Sequence, residues 1–163
     1  MSASAMKKIR PQPVFGWEKL DDLLADGAEE LVCRHWKEIA LDQDAVPLDL
    51  DWPAMRRDEA AGTLKVFSAR LDGEILGYIT FKMYHPDRYR STLYCNADVF
   101  YFTPHERGKG HGMAMFRAAK DALPKPCKVQ IRRKLGLNDE AVDHILRSLG
   151  LTPIEMCYSG FFA

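Results

Sequence analysis

The stretch "YFTPHERGKGHGMAMF", residues 101–116, decides how the rest of this chain is read. Gly108, Gly110 and Gly112 alternate with Lys109 and His111, directly after Arg107. Upstream, an aromatic run reads as the end of a strand that Pro104 stops. Downstream, Phe116, Ala119 and Leu123 form one face of a helix that Pro124 terminates. Strand, bare glycine turn, then helix is the arrangement of an anion cradle. The first turn of a helix leaves N–H groups unpaired and carries partial positive charge. Glycines let those groups approach a phosphate with no side chain in between, and Arg107 and Lys109 put two cations at the same place.

Spacing then excludes two nucleotide fingerprints. G-x-G-x-x-G would require glycine where Met113 stands. G-x-x-x-x-G-K-[ST] would require glycine at Thr103 and a hydroxyl at Gly110.

The chain has 163 residues, 47% apolar and 28% charged, which predicts a single globular domain with a real core. Residues 1–13 read as a tail outside the fold, and 14–163 as that domain. No run approaches the roughly 18 apolar residues of a membrane span, so no membrane association is expected. "MSASAMKKIRPQPVF" has no apolar region of a signal peptide, which points to the cytoplasm. Cys33, Cys95, Cys127 and Cys157 are scattered without C-x-x-C or Cys/His spacing, so buried reduced thiols and no metal site are expected.

Net charge is zero but uneven. Residues 18–59 hold 13 acids and 5 bases, a local charge of −8, whereas residues 105–134 hold 9 bases and 2 acids, a local charge of +7. The basic block surrounds the glycines, as a bound polyanion would favour. The acidic block reads first as a solvated face and only weakly favours a cationic ligand, such as a polyamine, an aminoglycoside or a lysine-bearing protein. "KVQIRRK" makes nucleic acid a remote option, because no aromatic stacking set accompanies it.

Along the chain, Trp17, Leu20, Leu23 and Leu24 have helical spacing, and a second helix in "AEELVCRHWKEIALDQ" lines up Leu31, His35 and Ile39. Residues 46–62 read as an irregular crossing with one helical turn. "TLKVFSARL", "EILGYITFKMY" and "STLYCNADVFYFT" then make an antiparallel meander with a hairpin at Asp72–Gly73. The glycine helix follows, then the strand "CKVQIRRKL", the helix "NDEAVDHILRSLG" with Ala141, Val142, Ile145, Leu146 and Leu149 inward, and a last strand or strand pair in "LTPIEMCYSGFF". The order α-α-β-β-β-α-β-α-β is an α/β domain around one mixed sheet.

"VFYFTPHERGKGHGMAMFRAA" resembles the acetyl-CoA-binding motif of the GNAT superfamily of N-acyltransferases. Arg107-Gly108-Lys109-Gly110-His111-Gly112 fills its [QR]-x-x-G-x-[GA] core, and Phe102-Thr103-Pro104 fills the approach. The element order over residues 14–162 matches too, and "ELVCRHWKEIALDQD" is more weakly similar to a phage-type subgroup. The resemblance implies a mixed, mostly antiparallel sheet flanked by about four helices. It implies that Arg107 through Gly112 hold the CoA pyrophosphate and that the pantetheine arm runs along Phe100, Tyr101 and Phe102. Asp98, six residues before Pro104, then takes the place of the base, with a structural ion pair to Arg88 or Arg90 as the alternative. Leu146 stands where the family often has the tyrosine that protonates the leaving thiolate, and Tyr158 is a substitute. His35 is a third catalytic candidate, with packing as its default role.

The expected function is acetyl-CoA-dependent N-acetylation of a primary amine, by direct attack, on a small molecule, a protein lysine or an N-terminus. The alternative is a catalytically weak or inactive CoA-binding interaction module. The family's habit of dimerising keeps a homodimer in view, with "SGFFA" as a candidate edge.

Overall fold

The structure is a computed structural model that describes residues 11–136 and 139–160. Five strands form one sheet in chain order: β1 (Val14–Glu18), β2 (Leu64–Leu71), β3 (Glu74–Tyr84), β4 (Tyr94–Phe102) and β5 (Lys128–Ile131). The first four run antiparallel to their neighbours, and β5 alone lies parallel to β4. Three helices, α1 (Leu20–Ala25), α2 (Ala28–Ile39) and α3 (Trp52–Ala60), fill the connection from β1 to β2. α4 (His111–Ala122) crosses over between β4 and β5, and α5 (Asp139–Ser148) follows. The expected α/β class and mostly antiparallel sheet are therefore observed, with five helices among the described residues.

The meander forms as its alternation predicts. Asp72 and Gly73 turn β2 into β3 with positive φ at both positions (50° and 90°), the backbone a two-residue hairpin needs. One sheet face buries Phe67, Leu76, Ile79, Phe81, Cys95 and Phe102 against Met115, Phe116 and Ala119 of α4, with Leu149 just past α5. The other face packs Val66, Ile75, Tyr78 and Tyr101 against Leu23 of α1 and Leu31 of α2. Burying each large apolar side chain this way contributes about 1.5–3 kcal/mol.

Four expectations are corrected. Trp17 lies on β1 and not in the first helix; its ring meets Phe67 edge-on at 4.9 Å, and pairing with β2 outweighs the helical spacing of the leucines that follow. α3 is a nine-residue helix rather than one turn, because Asp51 caps it by accepting from the Ala54 N–H (2.8 Å) and Pro53 sits in its first turn. Residues 151–160 form no strand, and Ile154, Met156 and Tyr158 in that segment are exposed. Of the four free cysteines only Cys95 is buried, while Cys157 is exposed. The "SGFFA" edge lies partly outside the described residues. No described helix is long and apolar enough to cross a membrane.

Candidate functional site

β4 carries two devices that make a site at its end. The first is a bulge. Thr80 pairs with Val99 and Phe81 with Ala97, so Asp98 has no partner across the ladder. One extra residue reverses the side-chain parity of everything after it. Phe100 and Phe102 consequently face α4, Phe100 meeting Phe116 edge-on at 5.3 Å, whereas Tyr101 joins the α1–α2 face. The second is a fork. β5 pairs with β4 only from Tyr94 to Ala97, so the four residues from Val99 to Phe102 have β3 on one side and, among the described residues, no strand on the other.

Which backbone groups face that open side follows from the ladder. The Thr103 N–H donates back to the Leu76 carbonyl (2.8 Å), so residues 99, 101 and 103 address β3. Phe100 and Phe102 point their N–H and C=O groups into the fork. The Phe102 carbonyl accepts from Arg107 Nε at 2.8 Å.

At the foot of the fork lies the glycine loop. Gly110 caps α4 with φ of 84°, and Gly108 has φ of 77°; L-residues with side chains seldom adopt either. The Arg107 N–H bonds to the Pro104 carbonyl and the Ala114 N–H to the Gly110 carbonyl. Between them, the N–H groups from Gly108 to Met113 find no acceptor among the described residues. Consecutive amides left free at a positive-φ turn form an anion nest, reinforced by the α4 dipole. A Cβ built on Gly112 meets nothing within 4 Å, so the space in front of the first helical turn is open. These residues fit a diphosphate group.

The cations beside the nest have partners of their own. Glu106, buried in the turn before the loop, accepts from Lys109 Nζ at 2.8 Å and lies 3.1 Å from His111 Nδ1. Its bond to Lys109, with the His111 contact behind it, holds the Glu106 carboxyl below the usual range. Arg107 turns to α2, where Nη1 and Nη2 grip both oxygens of Glu38 (2.5 and 3.0 Å), and its guanidinium lies 5.3 Å over the Tyr101 ring. The loop's shape thus supplies the anion-binding groups, and its side-chain charges tie it down. Nothing in the sequence pairs Arg107 with a residue 69 positions away.

Of the catalytic candidates, Asp98 is exposed at the fork and forms no ion pair with Arg88 or Arg90 among the described residues, so the structural alternative falls away. Tyr158 is 87% exposed in the segment after α5 and is not brought to the fork. Leu146 packs into the α4–α5 core. His35 is buried beneath Tyr101, stacked at 4.5 Å, with Nδ1 2.7 Å from the Tyr78 hydroxyl. It is enclosed rather than presented to a ligand.

Burial pulls the His35 pKa down to about 4, so the ring is neutral at pH 7. The unfolded chain takes up this proton first, which makes folding stability present at high pH and progressively lost between pH 6.5 and 4. Between pH 7 and 5.5 the loss from this one group is about 1 kcal/mol. Chemical denaturation at the two pH values checks it: His35→Phe keeps the ring stack and should remove that part of the slope. An unchanged slope would assign the pH dependence elsewhere.

Known structures share this architecture. An aminoglycoside acetyltransferase from an uncultured soil metagenomic sample superposes with a TM-score of 0.64 at 15% identity, covering 93% of this chain and 95% of its own. Glucosamine-6-phosphate N-acetyltransferase from Arabidopsis thaliana gives 0.66 at 14% identity over 93% and 99%. A predicted acetyltransferase from Clostridium acetobutylicum, solved with acetyl-CoA, gives 0.63 at 13% identity over 91% and 96%. At these identities the likeness speaks for the fold alone. No curated protein matches the chain. The sequence profile of the acetyltransferase (GNAT) family matches residues 17–150, most of the fold just described, and the chain therefore belongs to that family.

Proposed function

We propose that the protein moves an acetyl group from acetyl-CoA to a primary amine by direct transfer. The observation that carries this reading is the run of free N–H groups from Gly108 to Met113 at the foot of the open β4 edge. A diphosphate fits the nest, and an amide-bearing arm fits the outward backbone groups of Phe100 and Phe102. Solved relatives include one with acetyl-CoA bound and others named for aminoglycoside and amino-sugar-phosphate substrates, which supports an amine acceptor. Those names cover both cationic and phosphorylated amines and do not choose between them.

When bound, acetyl-CoA supplies a thioester whose C–S bond breaks as the amine forms its C–N bond. The outward N–H of Phe100, past the bulge, is available to polarise the thioester carbonyl. Asp98 stands at the inner end of the fork, exposed and without an ion-pair partner among the described residues, and takes the proton that the attacking amine loses. Water protonates the departing thiolate, since Leu146 is packed in the core and Tyr158 is remote.

Asp98→Asn should lower kcat about 10²-fold and leave the melting-temperature rise with acetyl-CoA intact. Unchanged turnover would remove Asp98 from the chemistry. The wider test combines thermal shift with acetyl-CoA and thiol release across an amine panel. Absence of any shift would overturn the reading. Because Leu146 stands where the family often has its tyrosine acid and Tyr158 is remote, a second reading is a CoA-binding module without turnover, which a shift without thiol release on any amine would favour.

A further inference from the structure

Between α2 and the turn after β4 lies an open depression of about 530 Å³, lined by Arg34, Lys37, Glu38, Tyr101, Pro104 and His105. It sits on the α2 side of β4, whereas the fork's aromatic side chains Phe100 and Phe102 face α4. Its charges do not cancel. Both oxygens of Glu38 are occupied by Arg107, and this bond, seconded by the Tyr101 hydroxyl, keeps its carboxyl below the usual range. Glu38 therefore presents little free negative charge to a ligand.

Arg34 and Lys37 differ. Among the described residues the one ion pair of Arg34 is with Glu30, at 3.9 Å on an exposed helix turn, a pair of little strength. Lys37 has no acidic partner among the described residues. Four of the 13 acids that make residues 18–59 so negative are ion-paired elsewhere, Glu18 and Asp26 with Arg70, Asp21 with Arg56 and Asp58 with Lys82, and of the 13 only Glu38 lines the depression. The cationic acceptor that the acidic block favoured would find no unpaired carboxylate in this depression.

We propose that the depression binds an anionic group, a phosphate or carboxylate, carried by the acceptor amine, with Arg34 and Lys37 as its contacts beside Tyr101 and Pro104. Arginine's planar fork matches such oxyanions with two parallel bonds, and lysine adds a point charge. The contact acts on binding, so it sets KM for the acceptor rather than the chemical step. This inference rests on the transfer reading for its acceptor, but its anion binding is measurable without turnover.

Inorganic phosphate is titrated into protein saturated with CoA, so that the nest is filled, and followed by amide NMR shifts. Saturable shifts at residues 34–38 and 105 are expected, with affinity at least about 10-fold weaker in the Arg34→Ala/Lys37→Ala double variant. The absence of shifts there, or equal affinity in the variant, overturns the proposal. Comparing CoA with 3′-dephospho-CoA separates the two phosphate sources. Equal binding of both by wild type and variant is expected, while a loss confined to CoA would assign the depression to the cofactor's phosphate and overturn the acceptor assignment. With acetyl-CoA, O-phosphoethanolamine should exceed ethanolamine in kcat/KM by at least about 10-fold, and the double variant should erase that preference. Equal kcat/KM for the two amines counts against the proposal. Phosphate shifts that need Arg34 and Lys37, without acetylation of any amine, would sink the transfer reading and uphold the anion site.

Discussion

Gly112→Glu should abolish the acetyl-CoA-induced rise in melting temperature while leaving the free protein as stable as wild type. The two halves of this expectation have separate causes. Gly112 has ordinary helical backbone, and a Cβ there meets nothing within 4 Å, so the fold accepts a side chain. A carboxylate in the first turn of α4 even gains about 0.3–1 kcal/mol from the helix dipole. The same carboxylate places negative charge among the N–H groups from Gly108 to Met113, where the diphosphate would sit. Loss of affinity should exceed about 10³-fold, since the replaced interactions are charge-assisted and several act together. Calorimetric titration with acetyl-CoA and a melting curve without ligand together check it. Wild-type affinity in this variant would move the nest elsewhere. Gly110 is a poorer probe, because its φ of 84° strains any substituent and mixes folding with binding.

The second large effect is on stability. Gly77 sits on β3 opposite Phe102, and a Cβ there would lie 2.6 Å from the Tyr101 carbonyl oxygen and 2.6 Å from Phe102 Cδ2. The carbonyl belongs to the backbone and cannot rotate away. Gly77→Ala must therefore push β4 off β3 at the place where it has no support from β5. A destabilisation of about 3 kcal/mol is expected, read as a melting-temperature loss of roughly 6–12 °C for a chain of this size. Because the shifted segment is the open edge, the KM for acetyl-CoA should rise as well. A variant that melts like wild type would show that β4 yields easily there.

Much of this site was legible in the sequence because it is local. Strand, glycine turn and helix are contiguous from residue 99 to 122, so patterning and backbone chemistry read directly as a cradle. The meander was legible for the same reason, each hairpin closing between neighbours in the chain. What escaped reading depends on partners far away. Trp17 and Leu20 look helical together, yet pairing of Val14–Glu18 with Val66–Arg70 claims the tryptophan for a strand. His35 looks like a candidate base until Tyr78, 43 residues on, and Tyr101 enclose it. Arg107 looks like a phosphate contact, and its hold on Glu38 appears only when α2 folds against the loop. The segment "LTPIEMCYSGFF" reads as a last strand or strand pair, but no neighbour takes it up among the described residues.

The unpaired residue in β4 also marks where this protein can change its length. Ala97 and Val99 pair with Phe81 and Thr80, which are neighbours on β3, so a chain without Asp98 keeps every other pair of that ladder in register. Phe100 and Phe102 would stay against α4, and Tyr101 would stay on the face of Leu31. What the deletion removes is the carboxylate at the fork and the local bend and twist that a bulge gives its strand. Position 98 is therefore the place where β4 can lose a residue without turning its side chains over.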